Sequence, residues 1–126
     1  YSVTFAASDG QAQDSETITI TVGNVNRAPI LASVGNQQVN ENFSLSFSLG
    51  ATDPDGDSVS YSATGLPASL SINTASGAIT GTLLPGEVGV HNVVVTARDP
   101  SNATATQSFS ITVTAIIDNV FGDGFE

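Results

Sequence analysis

Apolar and polar residues alternate along most of this chain, and the alternation has the period of two that belongs to β-strands. The clearest stretch places Phe43, Leu45, Phe47 and Leu49 on one face and serines on the other. Similar patterns recur at short intervals and predict strands over 31–42, 43–49, 59–63, 70–72, 78–82, 91–97 and 106–114. Val59, Tyr61 and Ile79 are expected to point inward, as are Phe109, Ile111 and Val113 on the last strand. Pro67 and Gly77 punctuate the gaps, as turn residues do. Short strands at such spacing predict an all-β fold, a seven-stranded Greek-key β-sandwich.

The pattern also repeats. Tyr1, Val3, Phe5, Ala7 and Asp9 reappear ninety positions later as His91, Val93, Val95, Ala97 and Asp99. After a slip of one residue, Ile18, Ile20 and Val22 answer Phe109, Ile111 and Val113. Residues 1–23 therefore read as the last two strands of a truncated preceding module, 24–29 (NVNRAP) as a linker, 30–115 as one complete sandwich and 116–126 as a tail carrying Phe121 and Phe125. A chain of 126 residues has room for one core of ordinary size, so a second module has to be partial. Residue 1 falls inside a strand pattern with no signal peptide before it, as in a piece of something longer. A lone hairpin is marginal in water. This one is expected to borrow a partner from the adjoining module, a second copy of the chain or a lattice neighbour.

Composition narrows the function classes. Twelve acidic side chains face only two basic ones, Arg27 and Arg98, for a formal net charge of −10. Such a chain repels a phosphate backbone or an anionic bilayer surface, so neither nucleic acid nor membrane insertion is expected. There is no cysteine, hence no disulfide, thiolate metal site or thiol nucleophile. An acidic surface favours cations, and Ca²⁺ is the hard ion that carboxylate and carbonyl oxygens hold.

One constellation suits that ion. Asp53, Asp55 and Asp57 stand in ATDPDGD between the second and third predicted strands, and Asp99 stands in ARDPSN between the last two. In a Greek-key sandwich those loops share one end, and the linker residues Asn24 and Asn26 enter at the same pole. Several carboxylates brought together repel unless a cation lies among them. The competing reading is a plain turn, because Asp, Pro and Gly dominate reversals for reasons unrelated to metals. It is not an EF-hand: Gly56 falls between the second and third aspartates, and no Glu stands at the twelfth position.

With the linker NVNRAPIL, then LPASLSIN, GAITGT and VTARD in that order, and the closing SFSITVT, residues 24–115 resemble cadherin-like modules of the dystroglycan type found in bacterial exported proteins. The resemblance implies a cadherin-like or immunoglobulin-like sandwich with calcium at its amino-terminal pole, on Asp53, Asp55, Asp99 and Asn26. Two departures stand out: Arg27 replaces an acidic or amide linker residue, and TLLPGE occupies the place of an LDRE-like segment. Glu41 matches a glutamate that serves the junction with a following module, and is read here as structural.

The remaining candidates have bland readings. His91, the only histidine, sits where the repeat has Tyr1, which suits a corner-forming ring. Two carboxylates suffice for glycoside hydrolysis, but Glu41 and Glu87 have no aromatic-walled cleft in view. For sugar binding there is no Trp, and Tyr1 and Tyr61 are the only tyrosines that could stack. The expectation is a non-catalytic, extracellular, calcium-binding adhesion or spacer module. Its expected partners are neighbouring modules and another copy of itself. Carbohydrate binding and calcium-independent spacing are the alternatives.

Overall fold

The structure is a computed structural model, and it describes residues 1–117; most of the expected tail, with Phe121 and Phe125, lies outside the described residues. It is an all-β molecule. The amino-terminal hairpin consists of β1 (Ser2–Ser8) and β2 (Gln13–Thr19). The sandwich is built from β3 (Ile30–Leu31), β4 (Gln37–Asn40), β5 (Ser44–Ser48), β6 (Ala51–Thr52), β7 (Ser60–Thr64), β8 (Leu70–Ile72), β9 (Ala78–Thr82), β10 (Gly89–Arg98) and β11 (Thr104–Thr114). A 3₁₀ turn, Pro85–Glu87, precedes β10.

One layer runs in the order β4-β11-β10-β7 and the other β5-β9-β8, with β3 paired to β6. The seven expected strands thus appear as nine segments: the first of them is divided in two, and β6, at Ala51–Thr52, lies outside all seven. Residues 31–42 are not one strand. Ile30 and Leu31 pair antiparallel with β6, whereas β4 pairs parallel with β11. The chain changes layers between these pairings, through a segment containing Gly35.

The core lies where the inward residues of the two layers meet. Val93, Val95 and Ala97 of β10 and Ile111 and Val113 of β11 are almost fully buried, as are Ile79 and Leu83. Phe109 meets Phe47 of the other layer edge-on, with ring centroids 5.8 Å apart. Tyr61 is buried against Gly77, where a Cβ would stand 3.2 Å from the ring and the φ of 74° itself favours glycine.

A second correction concerns Phe43, which stands 56 % exposed. Its parity matches Leu45 and Phe47, but Asn42 turns the chain at φ 66°, and Phe43 lies in that reversal, with its N–H donating to Asn40 O. Among the described residues no helix is long and apolar enough to cross a membrane.

The hairpin differs from the sandwich in coverage, not in register. Val3 faces Ile18 and Phe5 faces Glu16, just as Val93 faces Phe109 and Val95 faces Gln107. Tyr1 and Ile20 exchange hydrogen bonds at 2.8 and 2.7 Å, at the position where His91 pairs with Ile111. The turn, closed by Ser8 and Gln13, is one residue shorter than the turn between Arg98 and Thr104. Among the described residues nothing covers its apolar face: Phe5, Ile18 and Ile20 are all exposed.

Candidate cation site

The loop between β6 and β7 is first of all a well-made turn. Asp53, Pro54, Asp55 and Gly56 occupy the positions where a type I reversal favours Asp, Pro and Gly. Gly56 N–H donates to Asp53 O at 3.0 Å, and Gly56 takes a φ of 81°. Asp53 Oδ1 tightens the loop by accepting the N–H groups of Asp55 at 2.8 Å and Asp57 at 3.3 Å.

Turn chemistry leaves something over. Asp53 Oδ2 is buried and has no hydrogen-bond partner among the described residues, a costly state for a polar oxygen. One carboxylate oxygen from each of Asp53, Asp55 and Asp57 comes within 4.8 Å of the others. The donors are all oxygen, the chemistry that a hard divalent cation prefers. The orphaned oxygen and its neighbours fit such an ion.

Asp55, however, is already engaged. Its Oδ2 accepts the backbone N–H of Arg27 at 2.7 Å, and its Oδ1 accepts Nε at 2.9 Å and Nη2 at 2.7 Å from the same residue. Nη2 also donates to Pro54 O at 2.8 Å. The Asp55 side chain is 8 % exposed, although its partner's is 62 % exposed. The Arg27 amide, then its guanidinium, hold the Asp55 carboxyl below the usual carboxylate range.

Asp99 stands beside this cluster, not in it. It is 3 % exposed, its Oδ1 accepts Ala103 N–H at 2.9 Å, and its Oδ2 accepts Asn26 Nδ2 at 2.7 Å. Linker residues 26 and 27 thus grip two different loops, one each. Asn24 is exposed and has no hydrogen bond among the described residues. The structure therefore gathers Asp53, Asp55 and Asp57, joins Asn26 to Asp99, and leaves Asn24 apart.

The part played by Arg27 was missed by sequence reasoning, which saw only that it departs from an acidic linker. Nothing in NVNRAP signals which loop its arginine reaches.

Other candidates serve the frame. Glu87 accepts Ser69 Oγ at 2.6 Å, Ser69 N–H at 2.8 Å and Leu84 N–H at 2.8 Å, and the Ser69 hydroxyl leads in holding its carboxyl below the usual range. His91 Nε2 meets Glu87 O at 2.6 Å, a corner contact. Glu41 Oε1 accepts Ile116 N–H at 2.8 Å and ties down the end of β11. A surface depression near the pole is lined by Ser58, Ser60, Thr74, Arg98 and Asp99, without an aromatic ring. Burial of Tyr61 withdraws one of the two rings considered for sugar stacking.

Comparison with known proteins places this geometry in a lineage. A Chitinase A from Pseudoalteromonas piscicida is 35 % identical over 122 residues, which cover 90 % of this chain and 14 % of the chitinase. The serine-rich adhesin for platelets of Staphylococcus aureus is 29 % identical over 114 residues, 89 % of this chain and 8 % of the adhesin. The chain thus spans a small part of these relatives. Among solved structures, protocadherin gammaB7 EC3-6 superposes with a TM-score of 0.65 at 27 % identity, over 90 % of this chain and 32 % of that one. Drosophila N-cadherin EC1-4 shares the fold, with a TM-score of 0.60 at 19 % identity over 71 % of this chain and 25 % of that one. Residues 28–114 match the family described as "Putative Ig domain", and the chain belongs to that immunoglobulin-like family.

Proposed function

We propose that this chain is a non-catalytic, extracellular spacer and adhesion module of the bacterial dystroglycan-type cadherin-like kind, and that it takes up Ca²⁺ at the 53–57 loop. The observation that carries the calcium reading is the buried, unpartnered Oδ2 of Asp53 with the Asp55 and Asp57 carboxylates close by. Asp53 and Asp57 would hold the ion. The ion would supply charge neutralisation and cross-linking of the loop, with no chemical step. The adhesin relative supports an adhesive parent.

Calcium titration followed by thermal melting tests it. Extracellular modules bind Ca²⁺ with dissociation constants of roughly 10⁻⁴ to 10⁻³ M, so about 10 mM Ca²⁺ contributes about 1.4 to 2.7 kcal/mol. For a module of this size the melting temperature rises by at least about 5 °C. EGTA reverses the rise, and Asp53→Ala removes it. A melting temperature indifferent to calcium overturns the calcium reading and leaves a calcium-independent spacer.

Residues 1–23 belong to the same proposal as the closing hairpin of a preceding module. Their support is the shared register with β10 and β11, together with the uncovered face. Adjoining modules of one polypeptide are then the first partners, with exchange between two copies as the variant in which another chain supplies the cover. The chitinase relative favours a second reading, polysaccharide binding. Affinity electrophoresis in chitin-derived and other polysaccharide gels decides it, an unretarded band ruling it out.

A further inference from the structure

Arg27 is a linker residue, yet its charged group lies in the acidic loop. The guanidinium and the amide of this one residue supply three hydrogen bonds to Asp55, and a fourth goes to Pro54 O. A carboxylate offers about four lone-pair sites, so Asp55 has little left for a metal while Arg27 stays. Nε and Nη2 converge on the one oxygen Oδ1, and charge-assisted hydrogen bonds are among the stronger ones; the Asp55 side chain is largely buried, while Arg27 stands in solvent.

Charge points the same way. The three aspartates of the loop with the single guanidinium retain two negative charges, the complement of one divalent ion. Without Arg27 the excess exceeds what one such ion neutralises. We infer that Arg27 is a tethered cation that takes the place of a second calcium ion at the Asp55 end of the loop, and so pins the linker to the sandwich pole in the absence of metal. This rests on the calcium reading for the number of ions bound, but not for the tether.

Neighbouring contacts complete the picture. Asn26 holds Asp99 at 2.7 Å while the next residue holds Asp55. The entry of the chain into the sandwich is therefore fixed at two adjacent residues, one neutral and one charged. Neither grip uses a metal ion as a bridge.

The test uses the whole chain, stripped of metal, titrated calorimetrically with Ca²⁺ alone, beside Arg27→Ala and Arg27→Lys. Wild type is expected to saturate at one ion, Arg27→Ala at two, and Arg27→Lys, which keeps the charge, at one. Hydrogen exchange in EGTA gives a metal-free readout: the Arg27 and Asp55 amides exchange slowly in wild type and at least about tenfold faster in Arg27→Ala, a loss of about 1.4 kcal/mol of local protection. Equal uptake of one ion by wild type and Arg27→Ala overturns the replacement of a second ion, and equal exchange in EGTA overturns the tether. A wild type that binds no calcium overturns the calcium reading and the ion count with it, and the tether is then decided by exchange in EGTA alone. Because Arg27 is mostly exposed, its variants are expected to fold.

Discussion

Two hairpins of this molecule share a register and almost nothing else. In β10 and β11 the apolar face lies under a second layer, with Val93, Val95 and Ile111 fully buried. In β1 and β2 the equivalent Val3, Phe5 and Ile20 face solvent wholly or in part. Even the turn aspartates correspond. Asp9 Oδ1 accepts the N–H groups of Gln11 and Ala12, whereas Asp99 accepts Ala103 N–H and also the linker amide of Asn26. Local pairing is thus written in each hairpin by itself, and stability is not, because it comes from the layer on top.

The widest gap between the two should appear on removing matched apolar side chains. Phe109→Ala deletes a 5 % exposed ring packed on Phe47 and is expected to cost about 3 to 5 kcal/mol. Its counterpart Ile18→Ala, at 40 % exposure, should change the global unfolding free energy by less than about 0.5 kcal/mol. Urea unfolding measures both. A cost of several kcal/mol for Ile18→Ala would show the hairpin packed on the sandwich and erase the contrast.

Turn glycines give a smaller contrast. Gly65 takes a φ of 83°, and a Cβ there runs into the Asn92 carbonyl oxygen of β10. Gly10 takes a φ of 97° with open space around it. Gly65→Ala should therefore cost about 2 to 4 kcal/mol, from backbone strain and displacement together. Gly10→Ala meets only the strain, confined to the hairpin, and should leave the cooperative transition in place, with circular dichroism during thermal melting as the readout.

The aspartate pair comes next. Asp99→Ala strands Asn26 Nδ2 and Ala103 N–H near a buried position, at a cost of about 1 to 3 kcal/mol. Asp9→Ala removes an exposed turn contact and should shift the same transition by less than about 0.5 kcal/mol. Both are measured in EGTA, so that calcium plays no part. Equal costs would mean that the linker grip on Asp99 contributes nothing.

What was legible in the sequence follows the same division between local and contextual information. Residues 70–72 and 78–82 match β8 and β9 because Pro67 and Gly77 bound short alternating runs. Residues 31–42 misled because a change of layer leaves the period of two intact, and only the partners differ on either side of Gly35. Phe43 had the right parity and the wrong neighbour, since Asn42 at φ 66° reverses the chain. In the loop, DPDGD announced both a turn and a carboxylate cluster. That Asp55 would be taken up by Arg27 depended on where the guanidinium came to rest, and no local pattern carries that. The shared register of the hairpins was readable at a distance of ninety positions, because the paired side chains themselves recur.

The smallest effect concerns acid, and it separates the hairpins again. Glu87, in the 3₁₀ turn that leads into β10, has a folded pKa held below its ordinary value of 4.5 by the Ser69 hydroxyl first and then by the Leu84 and Ser69 amides. A depressed folded pKa means that the unfolded chain binds the proton more readily, so this contribution is complete above the unfolded value and is lost as the pH falls through the folded one. Asp9 is depressed too, by the Ala12 and Gln11 amides, but it sits in a hairpin expected to melt apart from the sandwich. In melts between pH 7 and pH 3, Glu87→Gln should therefore start slightly below wild type, by up to about 1 kcal/mol, and converge with it in acid as the wild-type carboxylate takes up its proton. Asp9→Asn should run parallel to wild type throughout. Convergence of the Asp9→Asn curve would couple the amino-terminal hairpin to the sandwich core, whereas a Glu87→Gln curve parallel to wild type would remove the carboxylate from the forces that hold the turn before β10.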